Sequence, residues 1–118
     1  MNIKTSSKSG FTLVEIMIVV AIIGLLAAIA VPNYVRARTT SQKSACINNL
    51  RQYDAALQQY ALENSVASST AYTMSNLTNY VKLTANGSLP KCPGGGTYTQ
   101  GATVVISPTC NIAGHNLP

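Results

Sequence analysis

The sequence predicts an α+β fold, a long N-terminal helix followed by a small C-terminal head that contains a short antiparallel hairpin. Three observations predict it. Residues 11–31 form an apolar run in which Glu15 is the single ionisable side chain and Thr12 the only other clearly polar one. Beyond Pro32, apolar residues recur at helical spacing up to residue 64. The remaining stretch, 65–118, is rich in Ser, Thr, Gly and Pro and holds only short β-prone segments. Composition narrows the function classes: 47% of the residues are hydrophobic and 9% charged, where a soluble domain carries roughly a quarter charged residues. An ordinary soluble enzyme is disfavoured. The formal net charge of +5 comes from eight Lys and Arg against three acids, too little basic material for an extensive nucleic-acid surface.

The first element is the apolar run. Its 21 residues make a helix of about 31 Å, matching the hydrocarbon thickness of a bilayer. Within it, Gly24 lowers helix propensity and permits close backbone approach. Pro32, at its end, lacks an N–H and clashes with the carbonyl four residues back, so a kink or a helix end is expected there. Glu15 is costly inside such a run unless it snorkels, is neutralised or is paired. Lys4 and Lys8 on one side and Arg36 and Arg38 on the other flank the run, so charge alone orients it weakly.

Residues 1–10, MNIKTSSKSG, are short, basic and polar and read as a leader. A secretory signal would be cut after the apolar stretch, near Ala30. A cut at Gly10–Phe11 would instead keep the whole run in the mature chain. The stretch Gly10-Phe11-Thr12-Leu13-Val14-Glu15, followed by Ile16 through Pro32-Asn33-Tyr34, closely resembles the leader junction and N-terminal helix of type IV prepilins and pseudopilins. The resemblance covers residues 1 to about 38 and implies several things. A prepilin peptidase would cut between Gly10 and Phe11 and methylate Phe11. The new cationic amine would pair with Glu15, in the same or a neighbouring subunit, with Thr12 beside it in the assembly site. Gly24 and Pro32 would bound a segment able to lose regular helix in a filament.

The second element spans 32–64. Cys46, Leu50, Tyr53, Leu57 and Tyr60 recur at spacings of 4, 3, 4 and 3, with Ala56 and Ala61 alongside. That is one face of an amphipathic helix. Gln42, Asn48, Arg51, Gln52, Gln58, Gln59 and Glu63 occupy the other side. A helix from Phe11 to Asn64 would be roughly 80 Å long. Its first half needs lipid or other copies around it, and its second half needs a small head packed on the stripe.

The head, 65–118, is too small to bury a large core without borrowing that stripe. Residues 65–75 read as a loop. A short helix or turn over 76–83 would turn Leu77, Tyr80 and Val81 inward, and Asn86-Gly87-Ser88 reads as a turn. Residues 102–107 (Ala-Thr-Val-Val-Ile-Ser) are the best strand candidate, pairing with Thr97-Tyr98-Thr99 through a turn near Gln100-Gly101. Gly94-Gly95-Gly96 lacks the Gly-Lys-Ser/Thr completion of a phosphate loop and reads as a turn opening the hairpin.

Cys92 and Cys110 bracket the hairpin, and Cys46 lies in the helix stripe. If the head lies outside the cytoplasm, a disulfide is permitted and useful in so small a fold. Cys92–Cys110 is the first choice, with Cys46 as an alternative partner for either, since spacing does not fix connectivity. The separations Cys46–Cys92, Cys92–Cys110 and Cys110–His115 are 46, 18 and 5 residues. They match no finger or ribbon, so no zinc site is expected, and His115 reads as a tail residue. Major secretion pseudopilins commonly hold calcium through acidic C-terminal loops; here Glu63 is the last acidic side chain in the sequence, so a comparable carboxylate cage is not expected.

The family resemblance implies a structural subunit of a type IV pilus-like filament, or alternatively a pseudopilin of a type II secretion or DNA-uptake machine. A simple single-pass anchor would explain the apolar run but not the Gly10–Phe11 junction. No catalytic residue, cofactor or metal is expected, and direct nucleic-acid binding is not expected. The implied partners are copies of the chain and minor pilins, the prepilin peptidase, an inner-membrane assembly platform, and lipid before assembly. The chain would sit in the bacterial inner membrane first and in a periplasmic or surface filament later.

Overall fold

In the computed structural model, which describes Ile3 and residues 9–118, four elements follow one another: helix α1 (Leu13–Glu63), a single 3₁₀ turn (Met74–Leu77), strand β1 (Tyr98–Thr99) and strand β2 (Thr109–Cys110). Lys4 and Lys8 of the anticipated leader lie outside the described residues. The chain divides into two compact units, Met1–Arg36 and Ala37–Pro118, and α1 contributes to both.

In the first unit the apolar run is helical from Leu13 onward. Every residue from Phe11 to Val31 is exposed, and this helix is long and apolar enough to cross a membrane. Pro32 lies inside α1 and does not end it, although its missing N–H deprives the Ala28 carbonyl of its helical donor. A Cβ built on Gly24 would meet nothing within 4 Å. Close packing within this chain therefore gives no reason for a glycine there.

In the second unit the stripe does what its spacing predicts: Cys46, Leu50, Tyr53, Ala56 and Leu57 are buried, with Tyr60 and Ala61 partly so. Tyr53, Ala56 and Leu57 join Tyr72, Leu77, Val81 and Val104 in the main core, and Cys46 and Leu50 join Cys92 and Cys110 in a second cluster. The helix stops through backbone geometry. The Val66 N–H bonds the Ala61 carbonyl at 3.2 Å and the Ser65 N–H bonds the Leu62 carbonyl at 3.3 Å, with Ser65 at φ 50°. This is a Schellman stop with serine where glycine is usual, and Val66 and Ala61 both pack on the core. A left-handed non-glycine residue costs roughly 1–2 kcal/mol, part of which glycine's larger unfolded-state entropy offsets. Ser65→Gly is therefore expected to raise thermal stability modestly, by up to about 1 kcal/mol, and Ser65→Val to lower it; a thermal melt followed by circular dichroism checks both.

The head corrects two details of the sequence reading. The short helix or turn expected over 76–83 begins two residues earlier, as a 3₁₀ turn over Met74–Leu77 that continues in turns to residue 80, and it is opened by the Asn76 side chain accepting the Thr73 N–H at 2.8 Å. Leu77 and Val81 are buried as expected, and Tyr80 stacks edge-on against Tyr60 with ring centroids 6.2 Å apart. The strand candidate 102–107 is not a strand. β1 pairs antiparallel with β2 instead, in the register Tyr98↔Cys110 and Thr99↔Thr109. The intervening segment curls on itself: the Ile106 N–H bonds the Thr103 carbonyl at 2.9 Å, and Gly101 lies against Ile106, where a Cβ would collide with its carbonyl. Only Val104 finds a core to enter, while Val105 and Ile106 remain exposed. Preference for a strand reflects fit to a half-buried pleated surface, and this loop offers none.

So short a sheet satisfies few backbone groups, and side chains supply the rest. Tyr53 Oη donates to the Pro90 carbonyl at 2.6 Å, Tyr72 Oη donates to the Ile106 carbonyl at 3.1 Å, and Tyr72 Oη accepts the Gly101 N–H at 2.9 Å. Asp54 accepts from Ser107 Oγ and from Gln58 Nε2. Tyrosines on the helix stripe and in the 65–75 loop thus hold the head's irregular backbone.

Candidate functional site: a capped helix start and a cysteine–histidine cluster

At the start of α1 the sequence Thr12-Leu13-Val14-Glu15 closes a reciprocal pair of hydrogen bonds. The Thr12 N–H donates to Glu15 Oε2 at 3.0 Å, and the Glu15 N–H donates to Thr12 Oγ1 at 3.2 Å. This is a capping box, Thr at the cap and Glu three residues later, which satisfies two of the otherwise unpaired N–H groups of a helix start. The signal is present in the sequence as Thr-x-x-Glu before an apolar run. Thr12, expected in the assembly site, has the task of a helix cap here. The cap uses one carboxylate oxygen; Oε1 has no hydrogen bond among the described residues. Glu15 lies in an open cleft with Ser9, Gly10 and Phe11, so the predicted cleavage point and the carboxylate are neighbours. At the N-terminus of a helix, negative charge is also favoured by the backbone dipoles.

The second arrangement lies in the head. All three cysteines are free and buried, where a Cys92–Cys110 bridge or a bridge to Cys46 was expected. His115, expected to be a solvated tail residue, is 7% exposed. Its Nδ1 lies 3.5 Å from Cys92 Sγ, and the Cys46 thiol donates toward its carbonyl oxygen at 3.6 Å. The three sulfurs and one imidazole nitrogen all lie within 4.8 Å of one another. The pairwise choice posed by the spacing is replaced by a convergence of three sulfurs, because α1 presents Cys46 to the same point that the β1–β2 pairing brings Cys110 to. Gly114, at φ 80°, turns the chain after Ile112 so that His115 reaches back.

The glycine run makes the convergence sterically feasible. Gly95 adopts φ 86°, and its N–H closes a turn onto the Cys92 carbonyl at 3.0 Å. A Cβ on Gly96 would sit 2.8 Å from Cys110 Sγ and 2.9 Å from Ile112 Cδ1, too close for any side chain. The run is a turn, as its sequence suggested, and it is also the lid over the sulfurs.

The sulfur environments differ. Burial pushes the Cys46 thiol up to about 12 despite the hydrogen bond from Tyr98. Burial also acts upward on Cys92, but hydrogen bonds from Cys46, His115 and the Gly94 and Gly96 backbone outweigh it and hold Cys92 down at about 6. Tyr98 donates from Oη to Cys46 Sγ at 3.5 Å, accepts from Asn49 Nδ2 at 3.3 Å, and packs edge-on against Tyr53 at 5.3 Å.

Comparison with known proteins bears on the helix start and on the whole chain. Residues 5–31 match the family model described as a prokaryotic N-terminal methylation motif. The type IV major pilin protein of Myxococcus xanthus is 57% identical over 42 residues, 36% of this chain and 19% of that protein. The type II secretion system core protein G of Vibrio cholerae is 32% identical over 104 residues, covering 80% of this chain and 71% of the relative. A fimbrial protein of Eikenella corrodens is 33% identical over 117 residues, 88% of this chain and 76% of the relative. The matched share of the relatives thus runs from about a fifth to about three quarters of their length. No solved structure is significantly similar.

Proposed function

The chain belongs to the family of type IV pilins and type II secretion pseudopilins, and on that premise we propose that it is a structural subunit of a type IV pilus-like filament. The observation that carries this reading is the apolar helix half. From Phe11 to Val31 every residue is exposed, and burying such a surface against lipid, and then against the same surface of other copies, is the physical driving force for insertion and for assembly. Its chemistry is that of assembly, with no catalytic group required of the subunit.

The steps follow from the residues. A prepilin peptidase cuts Gly10–Phe11 and methylates the new amine, which stays cationic. The capping box holds Glu15 at the helix start with Oε1 available, so the carboxylate is positioned before a partner arrives. In the filament the amine of Phe11, from the same or a neighbouring subunit, offsets the desolvation of Glu15 and selects the axial register. Gly24, whose missing side chain has no reason within one chain, suits close approach of a neighbouring backbone, and the region from Gly24 to Pro32 is where regular helix would yield. Copies of the chain, minor pilins and an inner-membrane platform are the partners. The inner membrane, then the periplasm or cell surface, are the locations.

The secretion pseudopilin reading keeps a specific supporting observation, the 80% coverage in the match to the core protein G of V. cholerae. Against its calcium-dependent form stands the absence of any acidic side chain after Glu63. Mass spectrometry of the mature protein tests the shared route: a chain beginning at Phe11 and carrying one added methyl is expected, and a chain beginning after Ala30 would refute it. Imaging of intact cells separates the two roles, since a pilus extends well beyond the envelope and a pseudopilus does not.

A further inference from the structure

The cysteine–histidine cluster belongs to the second unit and plays no part in the assembly chemistry above. Cys46 from α1, Cys92 from the glycine loop, Cys110 from β2 and His115 from the tail are all buried, and their donor atoms all lie within 4.8 Å of one another. We propose that these four side chains form a structural Zn²⁺ site, Cys₃His, that ties the head to the helix.

The chemistry of the donor set favours a metal over a disulfide. A bridge would consume two sulfurs and leave the third sulfur and the imidazole buried together without a structural purpose. A tetrahedral ion uses all four, and a closed set of three thiolates and one histidine is a structural zinc arrangement. Zn–S and Zn–N bonds of about 2.3 and 2.0 Å place the ligands of a tetrahedral site roughly 3.5–3.8 Å apart. The Cys92 Sγ to His115 Nδ1 distance of 3.5 Å already meets that geometry, and a contraction of about 1 Å among the remaining donors completes it. Thiolate ligands select Zn²⁺ among the ions available to an exported protein, whereas hard cations need oxygen donors. Binding releases the thiol protons to solvent, and the imidazole donates a lone pair, so the loaded site carries a net charge of −1.

The surroundings suit this use. Tyr98 Oη donates to Cys46 Sγ and is itself held by Asn49, the outer contact that orients a ligand and tempers its charge. The lack of side chains at Gly94 and Gly96, where a Cβ would press on the His115 ring at 3.1 Å and on Cys110 Sγ at 2.8 Å, lets the loop close over the site. The separations of 46, 18 and 5 residues hide it from a motif search because each ligand comes from a different part of the fold. Coordination would also shield the thiols from the oxidation that an exported setting favours.

The test uses the full chain in detergent micelles, purified without chelator, with Co²⁺ as the spectroscopic probe and Zn²⁺ as competitor. A single equivalent of Co²⁺ is expected to give the intense visible bands of a tetrahedral ion with thiolate charge transfer, bleached by Zn²⁺. The Zn²⁺-loaded chain is expected to resist alkylation at Cys46, Cys92 and Cys110, and chelation is expected to restore it. Cys110→Ser and His115→Ala should each weaken binding by more than about tenfold, the loss that even outer-shell changes cause. The unaltered chain decides the matter if a variant fails to fold. An octahedral Co²⁺ spectrum with the reduced chain, or protein isolated from the envelope with an internal disulfide and no zinc, overturns the proposal.

Discussion

Glu15→Gln is expected to insert into the membrane, fold its head and keep the start of α1 intact, yet yield no filaments. The capping box accepts glutamine in the third position as well as glutamate, so the hydrogen bond from the Thr12 N–H, now 3.0 Å long, survives the change. What is lost is the charge. In a filament core the cationic amine of Phe11 would then be buried without a partner, and breaking a buried pair costs about 3–5 kcal/mol, repeated at every subunit. Glu15→Val removes the charge together with the carboxylate half of the capping box, while the backbone N–H at position 15 keeps its bond to Thr12 Oγ1, and adds a local loss of about 0.5–1.5 kcal/mol, that of one hydrogen bond, at the helix start. The comparison separates the two tasks of Glu15. Filaments counted by electron microscopy should be absent from both variants, while amide exchange near Leu13 should rise in the valine variant alone. Normal filaments from Glu15→Gln would leave the cap as the only role of this residue.

Leu57→Ala is expected to unfold the head while leaving the apolar half untouched. Leu57 is 1% exposed and packs with Tyr53, Tyr72, Leu77, Val81 and Val104. Truncating a fully buried leucine costs about 2–5 kcal/mol, more where the cavity cannot collapse. Here the walls of the cavity are pinned by the Tyr53 bond to Pro90 and the Tyr72 bonds to Ile106 and Gly101, so relaxation is limited. A domain's whole stability is about 5–15 kcal/mol, and one with a sheet of two-residue strands lies toward the low end. Limited proteolysis should therefore cut Leu57→Ala within residues 65–118 under conditions where the unaltered chain is resistant. Equal resistance would mean that the head does not rest on the α1 stripe.

A bound zinc ion and the leucine core would act on the same small unit. Leu50, fully buried beside Cys46, links the metal ligands to the main core one turn away. With the ion bound, part of the cost of Leu57→Ala would be offset by the free energy of metal binding. The proteolysis experiment is accordingly most decisive with chelator present.

The parts of this protein written in local pattern were legible before any coordinates. The membrane-length run, the stripe from Cys46 to Tyr60 and the Gly10–Phe11 junction each depend on residues a few positions apart, and helical periodicity converts such spacing into a face. The head was legible only in outline. Its interior is chosen by long-range contacts: Val104 is drawn to the core and to the Thr70 carbonyl while Val105 beside it is left outside, and nothing local distinguishes the two. The β-prone 102–107 segment misled for that reason, and Tyr72, within a stretch read as a loop, became a core residue.

The sequence by itself determined a greasy helix and its amphipathic continuation, because burial against lipid or a sister helix acts along one element at a time. Only the tertiary structure decided that three cysteines from distant parts of the chain, and a histidine five residues after the last of them, meet at one buried point. Whether side chains converge depends on how the chain returns upon the helix, and residue spacing carries no measure of that path.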